Sequence, residues 1–317
     1  MYQERRLLYL YCETPLHAGS GSELGIVDLP IQRERHTGYP KVEASSLKGA
    51  VREHFTRLSG GPIEKGSEPS DEQLKVERTF GPAPDSNDAN KYAGCLAFTD
   101  ARLLCMPGRS AAGVWTWVTC PGVLARFAQD LGRPLPDVSV EPGYALVAGS
   151  DNDIVIDGTS KLVFEEYAFA KQADEANVLV DIASAIAEAV FPEASGALYE
   201  KLMGNLTVLH DGDFAYFAEN ATEVITRVRI SQATGTVEQG ALWTEEYLPS
   251  ESILYSVALA SGEYRARGDD GAGRMDAGEV MSYLTYTLSQ RARFQLGGNA
   301  TLGKGHLLAA FAKTSNA

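Results

Sequence analysis

Apolar residues in this 317-residue chain come in short runs, each long enough for a strand and too short to close a sheet alone. Leu7 to Thr14 reads as a buried strand ended by Thr14-Pro15, and Tyr39 to Val42 as a second short one. Gly94 to Leu104, the run GVWTWVTCP, Leu206 to Leu209, Val224 to Ile230 and Ile253 to Leu259 are further strand candidates. Between them lie helical patterns. After an N-cap at Ser45 or Ser46, Leu47, Ala50, Val51, Phe55 and Leu58 recur at helical spacing until Gly60 and Gly61 stop the pattern. Val123 to Leu131, the alanine-rich Ile182 to Phe191, and Asp276 to Gln290 read as three more helices. Short strands mixed with helices, with no internal repeat and no heptads, predict a layered α+β domain.

Charge and cysteine usage narrow the function classes. A net charge of -14 argues against indiscriminate coating of nucleic acid, which depends on neutralising phosphates. The charge is unevenly spread, however: residues 31 to 60 carry six Lys or Arg against three Glu, so a basic site can sit on an acidic body. Cys12, Cys95, Cys105 and Cys120 have no CxxC spacing and are expected to be buried and reduced. No stretch approaches the roughly 18 to 20 apolar residues of a membrane span. A signal peptide is not expected, and the cytoplasm is the expected location.

Two glycine-rich stretches stand apart from the strand and helix patterns. Ala18 to Gly25 contains Gly19 and Gly21, and GGNATLGKGHL, residues 297 to 307, contains Gly297, Gly298, Asn299 and Lys304. Neither is a Walker loop or a GxGxxG dinucleotide turn. Lys48 and Arg52 lie four apart on the helix beginning near Ser46, so they share a face beside the helix N-terminus, where phosphate binds readily. Solvated surface cations are the bland alternative, as is a small-molecule nucleotide enzyme for the glycine loops. Residues 60–91 are rich in Gly, Pro, Ser and acidic side chains and read as a loop insertion with at most one short helix.

Taken together, LHAGSGSELGIVDLPIQRERHTGYPKVEASSLKGAVREHF resembles the start of the repeat-associated RNA-binding (RAMP) proteins of CRISPR systems. The resemblance runs on through CLAFTDARLLCMPGRSAAGVWTWVTCP, VITRVRI, EEYLPSESILY and LGGNATLGKG. The segments GIVDLPIQRERHTGYP and RS narrow it to the backbone-subunit group of type III-B, or Cmr, effector complexes. It implies a single RAMP domain over 1–317, with an RRM-like, ferredoxin-type core, inserted loops and a protruding thumb hairpin over 231–252.

Copies would line up along one CRISPR guide RNA, beside other type III-B subunits that include a large polymerase-like and a small subunit. They would cut complementary target RNA at regular intervals, with Mg or Mn as cofactor. A non-catalytic, purely structural RNA-binding backbone is the alternative. Ser45, Ser46, Lys48 and Arg52 match the family's guide-binding helix start. Arg109 and Ser110 resemble a second backbone contact, and Gly19, Gly21, Gly297, Gly298, Asn299 and Lys304 match glycine-rich loops along the guide. Asp28 matches the cleaving aspartate and metal ligand. His17, Glu245 and Tyr247 fall at further active-site positions, and Leu242 and Trp243 are the thumb's candidate wedges.

Overall fold

The computed structural model describes residues 2–22, 25–64, 66–83, 92–149, 152–174, 177–191, 196–264 and 273–312. Strand β1 (Glu4–Cys12) is buried without a break from Leu7 to Cys12, which is why its sequence is a continuous apolar run rather than an alternation. After β2 (Lys41–Val42) comes α1 (Ala44–Leu58), which buries Leu47, Val51 and Phe55 as the spacing predicts. Its start differs from the sequence expectation. The N-cap is Glu43, with no side-chain cap, because distant groups replace one: Gln32 Oε1 accepts from the Glu43 amide and Asp100 Oδ1 from that of Ala44, each at 2.8–2.9 Å.

Among its described residues the 60–91 insertion holds one short helix, α2 (Asp71–Phe80), opened by a Ser70/Gln73 capping box and anchored by Phe80 on Phe55. Lys65 and residues 84–91 of that insertion lie outside the described residues. There follow β3 (Leu96–Phe98), β4 (Ala101–Arg109), β5 (Trp115–Thr119), α3 (Pro121–Leu131), β6 (Tyr144–Val147), β7 (Lys161–Phe164) and β8 (Tyr167–Lys171). Next are α4 (Val178–Val190), α5 (Ala197–Asn205), β9 (Thr207–Leu209), α6 (Asp211–Asn220), β10 (Glu223–Ile230) and β11 (Val237–Tyr247). The described chain ends with β12 (Ile253–Ala260), α7 (Ala277–Gln290), β13 (Arg293–Gln295) and β14 (His306–Phe311).

Strands β14, β1, β12 and β4 are successive antiparallel neighbours. Helix α1 lies between β1 and β4 in the chain, and α7 between β12 and β14, so two crossovers return over the sheet. Phe55 of α1 meets Tyr283 of α7 at 5.3 Å between ring centroids. On β1, Tyr9 and Tyr11 point away from those helices, toward Phe127 of α3 and Phe191 after α4. Strand β4 serves two halves of the sheet: Arg102 to Cys105 pair with β12, and Met106 to Arg109 with β5, which leads into β9, β6, β8 and β7.

The result is a mixed α/β fold with seven α-helices among the described residues, none long and apolar enough to cross a membrane. The four cysteines are buried and unpaired. Strands β10 and β11 form a two-stranded ribbon separate from the main sheet. The ribbon runs from Glu223 to Tyr247, so it begins and ends earlier than the expected 231–252 segment. Leu248, Pro249 and Ser252 already belong to the interior, because the chain there turns into the central strand β12.

Candidate nucleic-acid interface and active site

The foot of the ribbon organises the site. Two loop segments are stitched to β11 and to each other by backbone pairing: Leu16 opposite Leu248, Leu29 beside Glu245, and Gly19 opposite Ile31. Side chains alternate along β11, so Leu242, Thr244 and Glu246 face one way and Trp243, Glu245 and Tyr247 the other.

On the first face, Asp28 is gripped by Thr244. Asp28 Oδ2 accepts from the Thr244 amide at 2.7 Å and from its hydroxyl at 2.9 Å, and the same hydroxyl accepts from the Asp28 amide at 2.9 Å. The Thr244 amide first, and its hydroxyl second, hold the Asp28 carboxyl below the usual carboxylate range. The side chain stays exposed, and Oδ1 has no partner among the described residues.

His17, in the loop after β1, meets β11 two residues beyond Thr244, at Glu246, and its ring packs on that of Tyr247 with 5.5 Å between centroids. Its Nδ1 donates to the Glu246 carbonyl at 2.7 Å, which leaves Nε2 as the free ring nitrogen of the neutral form. That ring sits between glycines: a Cβ at Gly19 would stand 2.8 Å from Nε2, and one at Gly298 would stand 3.0 Å from Cδ2. Buried Glu246 fixes the surroundings by accepting from the Ile31 amide at 3.0 Å, Arg33 at 2.5 Å and the Thr222 hydroxyl at 2.7 Å.

The opposite face of β11 is a closed network. Glu245, 6% exposed, accepts from Trp243 Nε1 at 2.9 Å, Arg227 Nε at 3.2 Å, Asn299 Nδ2 at 3.0 Å and the Tyr247 hydroxyl. Arg227 and Asn299 also donate to the fully buried Tyr247 hydroxyl, at 3.1 and 2.8 Å. Burial pushes the Glu245 carboxyl up, but the bonds from Trp243, Tyr247 and Arg227 outweigh it and hold it below its ordinary value. Burial, reinforced by Glu245, pushes the Tyr247 hydroxyl up. Glu245 and Tyr247 thus have every polar atom engaged, and their geometry is that of braces tying ribbon to C-terminal loop.

The ribbon separates the two wedge candidates: Trp243 is half-buried and bonded inward, whereas Leu242 is 66% exposed beside its cross-strand partner Val228.

Three of the four glycines of the 297–305 loop, Gly297, Gly298 and Gly305, approach protein rather than open space. A Cβ at Gly305 would fall 1.9 Å from the Leu296 carbonyl, and one at Gly297 would fall 2.4 Å from that of His17. The Gly298 amide donates to the His17 carbonyl and the Gly305 amide to that of Pro15, both at 2.9 Å. Asn299 adopts the left-handed conformation its residue type favours, and Lys304 extends its ammonium over the Tyr247 ring at 4.8 Å. Gly303 and Gly21 alone combine positive φ with open surroundings in these two loops.

The start of α1 is connected to the same centre through Gln32, whose Nε2 donates to the Gly19 carbonyl at 3.1 Å and to Ser46 Oγ at 3.5 Å. The Ser45 and Ser46 amides have no acceptor among the described residues. Lys48 is half-buried with no carboxylate partner among them; burial first, and Arg52 second, hold its ammonium below its ordinary value. Arg52 donates to the Pro82 carbonyl at 3.4 Å and has no carboxylate partner among the described residues.

Arg109 and Ser110 lie elsewhere. They sit at the far end of β4, up to about 23 Å from Arg102 at roughly 3.3 Å per residue, with Arg109 exposed and Ser110 bonded into the following turn. Thr244, Glu246, Arg33, Gln32 and Arg227 are the participants that sequence reasoning missed. Their contacts bridge up to 229 positions, and nothing in the local pattern of LWTEEYL announces them.

Chemically, the cluster offers one exposed, oriented carboxylate and one imidazole nitrogen, linked through Gln32 to a helix start whose amides and cations have no acidic partner among the described residues and suit a phosphate chain. The chain belongs to the RAMP superfamily, whose sequence pattern matches residues 9–307. It is 37% identical to the CRISPR system Cmr endoribonuclease Cmr4 of Pyrococcus furiosus, over 98% of this chain and 96% of that one. The crystal structure of oligomeric Cmr4 from Pyrococcus furiosus superposes with a TM-score of 0.69 at 28% identity, covering 97% of each chain. The fold is also that of a chain in the type III-B Cmr-beta complex bound to cognate target RNA (TM-score 0.70, 22% identity, 98% of each chain).

Proposed function

We propose that this chain is the guide-RNA-binding backbone subunit of a type III-B CRISPR effector and the endoribonuclease that cuts complementary target RNA there. The observation that carries the reading is the exposed, clamped Asp28 in a chain 37% identical to a Cmr endoribonuclease over nearly its full length. The antiparallel order β14, β1, β12, β4 with α1 and α7 as crossovers supports an RRM-like core, and the β10–β11 ribbon is its thumb.

Guide phosphates lie along the Ser45 and Ser46 amides, Lys48 and Arg52, with Arg109 holding a separate stretch of the backbone. Local cations do this work on an acidic body because base pairing, not the protein surface, reads the target. The thumb's exposed Leu242 and Val228 displace a base from the stack and bend the target strand at that point. Neighbours along the guide are further copies of this chain, alongside the other effector subunits.

At the bend the target's own 2′-oxygen attacks phosphorus, the P–O5′ bond breaks, and the 5′-oxygen leaves with a proton. Asp28 Oδ1 is the free carboxylate oxygen for the attacking hydroxyl, and His17 Nε2 is the second group able to carry a proton. Among the described residues no group of three or more His, Cys, Asp or Glu converges to hold a metal. As the alternative to accepting a proton, the exposed Asp28 Oδ1 would be the single protein ligand of a divalent ion, with water and RNA completing its shell. When bound, such an ion would neutralise charge developing at the phosphate.

The test is to assemble the complex on a defined guide and map cuts in matched target. Asp28→Asn is expected to keep target binding and lose all the regularly spaced cuts together. Undiminished cutting by that variant refutes the reading.

A further inference from the structure

We propose that Thr244 is the positioning residue that presents Asp28 for cleavage, an inference that rests on the role given to Asp28 above. The loop around Asp28 has no regular structure of its own, and Ile26, two residues before it, is fully exposed. What fixes the carboxylate is a cycle closed by a single residue. Two Thr244 donors converge on Oδ2, and the Asp28 amide donates back to the Thr244 hydroxyl. The Leu29 amide adds a bond to the Thr244 carbonyl at 3.0 Å, and the Glu246 amide donates to the Leu29 carbonyl at 3.0 Å, so the loop follows β11 rather than drifting from it.

The consequence is selective. With Oδ2 saturated, Oδ1 is the oxygen left to act, and its direction is set by a β-branched side chain with few rotamers. Thr244 is also part of the ribbon. It lies one step from Leu242 on the same face of β11, about 7 Å along the strand. The same strand segment therefore carries the exposed apolar wedge and the grip on the carboxylate, and fixes the distance between a displaced base and the reacting oxygen.

Thr244→Val removes the hydroxyl while keeping shape and the backbone N–H bond, and Thr244→Ser restores the hydroxyl. In the assembled complex, single-turnover cleavage by Thr244→Val is expected to fall about tenfold, the loss of one hydrogen bond to a charged group. Target affinity should stay within about twofold, and Thr244→Ser should recover most of the rate. Adding Thr244→Val to Asp28→Asn should lower the residual rate no further, whereas a merely structural role would.

Wild-type cleavage by Thr244→Val beside an inactive Asp28→Asn overturns the clamp alone. Equal impairment of the Ser and Val variants also overturns it, since the hydroxyl would then not be what matters. Full cleavage by Asp28→Asn overturns both the clamp and the reading beneath it.

Discussion

Removing the Glu245 carboxylate tests the brace between ribbon and C-terminal loop. Four donors converge on this nearly buried group, one of them the Arg227 guanidinium, which has no second carboxylate partner among the described residues. A hydrogen bond to a charged group contributes about 1.5–3 kcal/mol, and donors left unpaired cost a comparable amount; part of this is recovered because Arg227 and Asn299 still reach Tyr247. Glu245→Ala is therefore expected to cost about 3 kcal/mol. At roughly 2.1 cal/mol/K per residue the unfolding entropy of this chain is about 0.67 kcal/mol/K, so the loss corresponds to a Tm lower by about 4–5 °C.

Scanning calorimetry of the isolated chain near neutral pH measures this directly. Repeating it in acid tests the cause. The folded-state carboxyl titrates below its unfolded value, so its contribution is complete above the ordinary carboxylate range and fades as pH falls through the folded value. The gap between wild type and Glu245→Ala should close in acid. A Tm within about 1 °C of wild type at neutral pH, or a gap that widens in acid, would refute the reasoning.

Two further perturbations separate packing from binding. Gly305→Ala forces a Cβ onto the Leu296 carbonyl and should abolish soluble folded protein, while Gly303→Ala, at the same φ of 73° but in open space, should cost only about 1–2 kcal/mol of left-handed strain by thermal melt. Lys48→Ala and Arg52→Ala should each weaken RNA binding at every sequence alike and reduce the slope of log affinity against log salt by about 1.

The strands and helices most visible in the sequence were those whose burial is one-sided or complete. Leu7 to Cys12 needed no tertiary information, and neither did the α1 stripe or the late helix α7. The hairpin of β7 and β8 was invisible because its turn is made by Glu165 at φ 49° and Glu166, with no Gly or Asn to announce it. The α1 N-cap was misplaced because Asp100 and Gln32, far along the chain, do what a local Ser would.

At the site, residue types pointed to phosphate and to a carboxylate, and family resemblance supplied Asp28. No local pattern announces that Thr244 holds it. Nor could the glycine run disclose that Gly297 and Gly305 accommodate neighbouring carbonyls, since a crowded glycine and an exposed one read alike in sequence.

The alternation along β11 makes the site depend on parity. Losing one residue between Leu242 and Tyr247 would be a change of sides rather than a local injury: the residue that grips Asp28 would turn toward Asn299, and the acid that holds Arg227 would turn toward the Asp28 loop. Losing two would preserve the sides and shorten the reach to the ribbon tip by about 7 Å. Length is thus free to vary in the outer ribbon, past Arg229 and Glu238, whereas the segment at its foot tolerates change only in pairs.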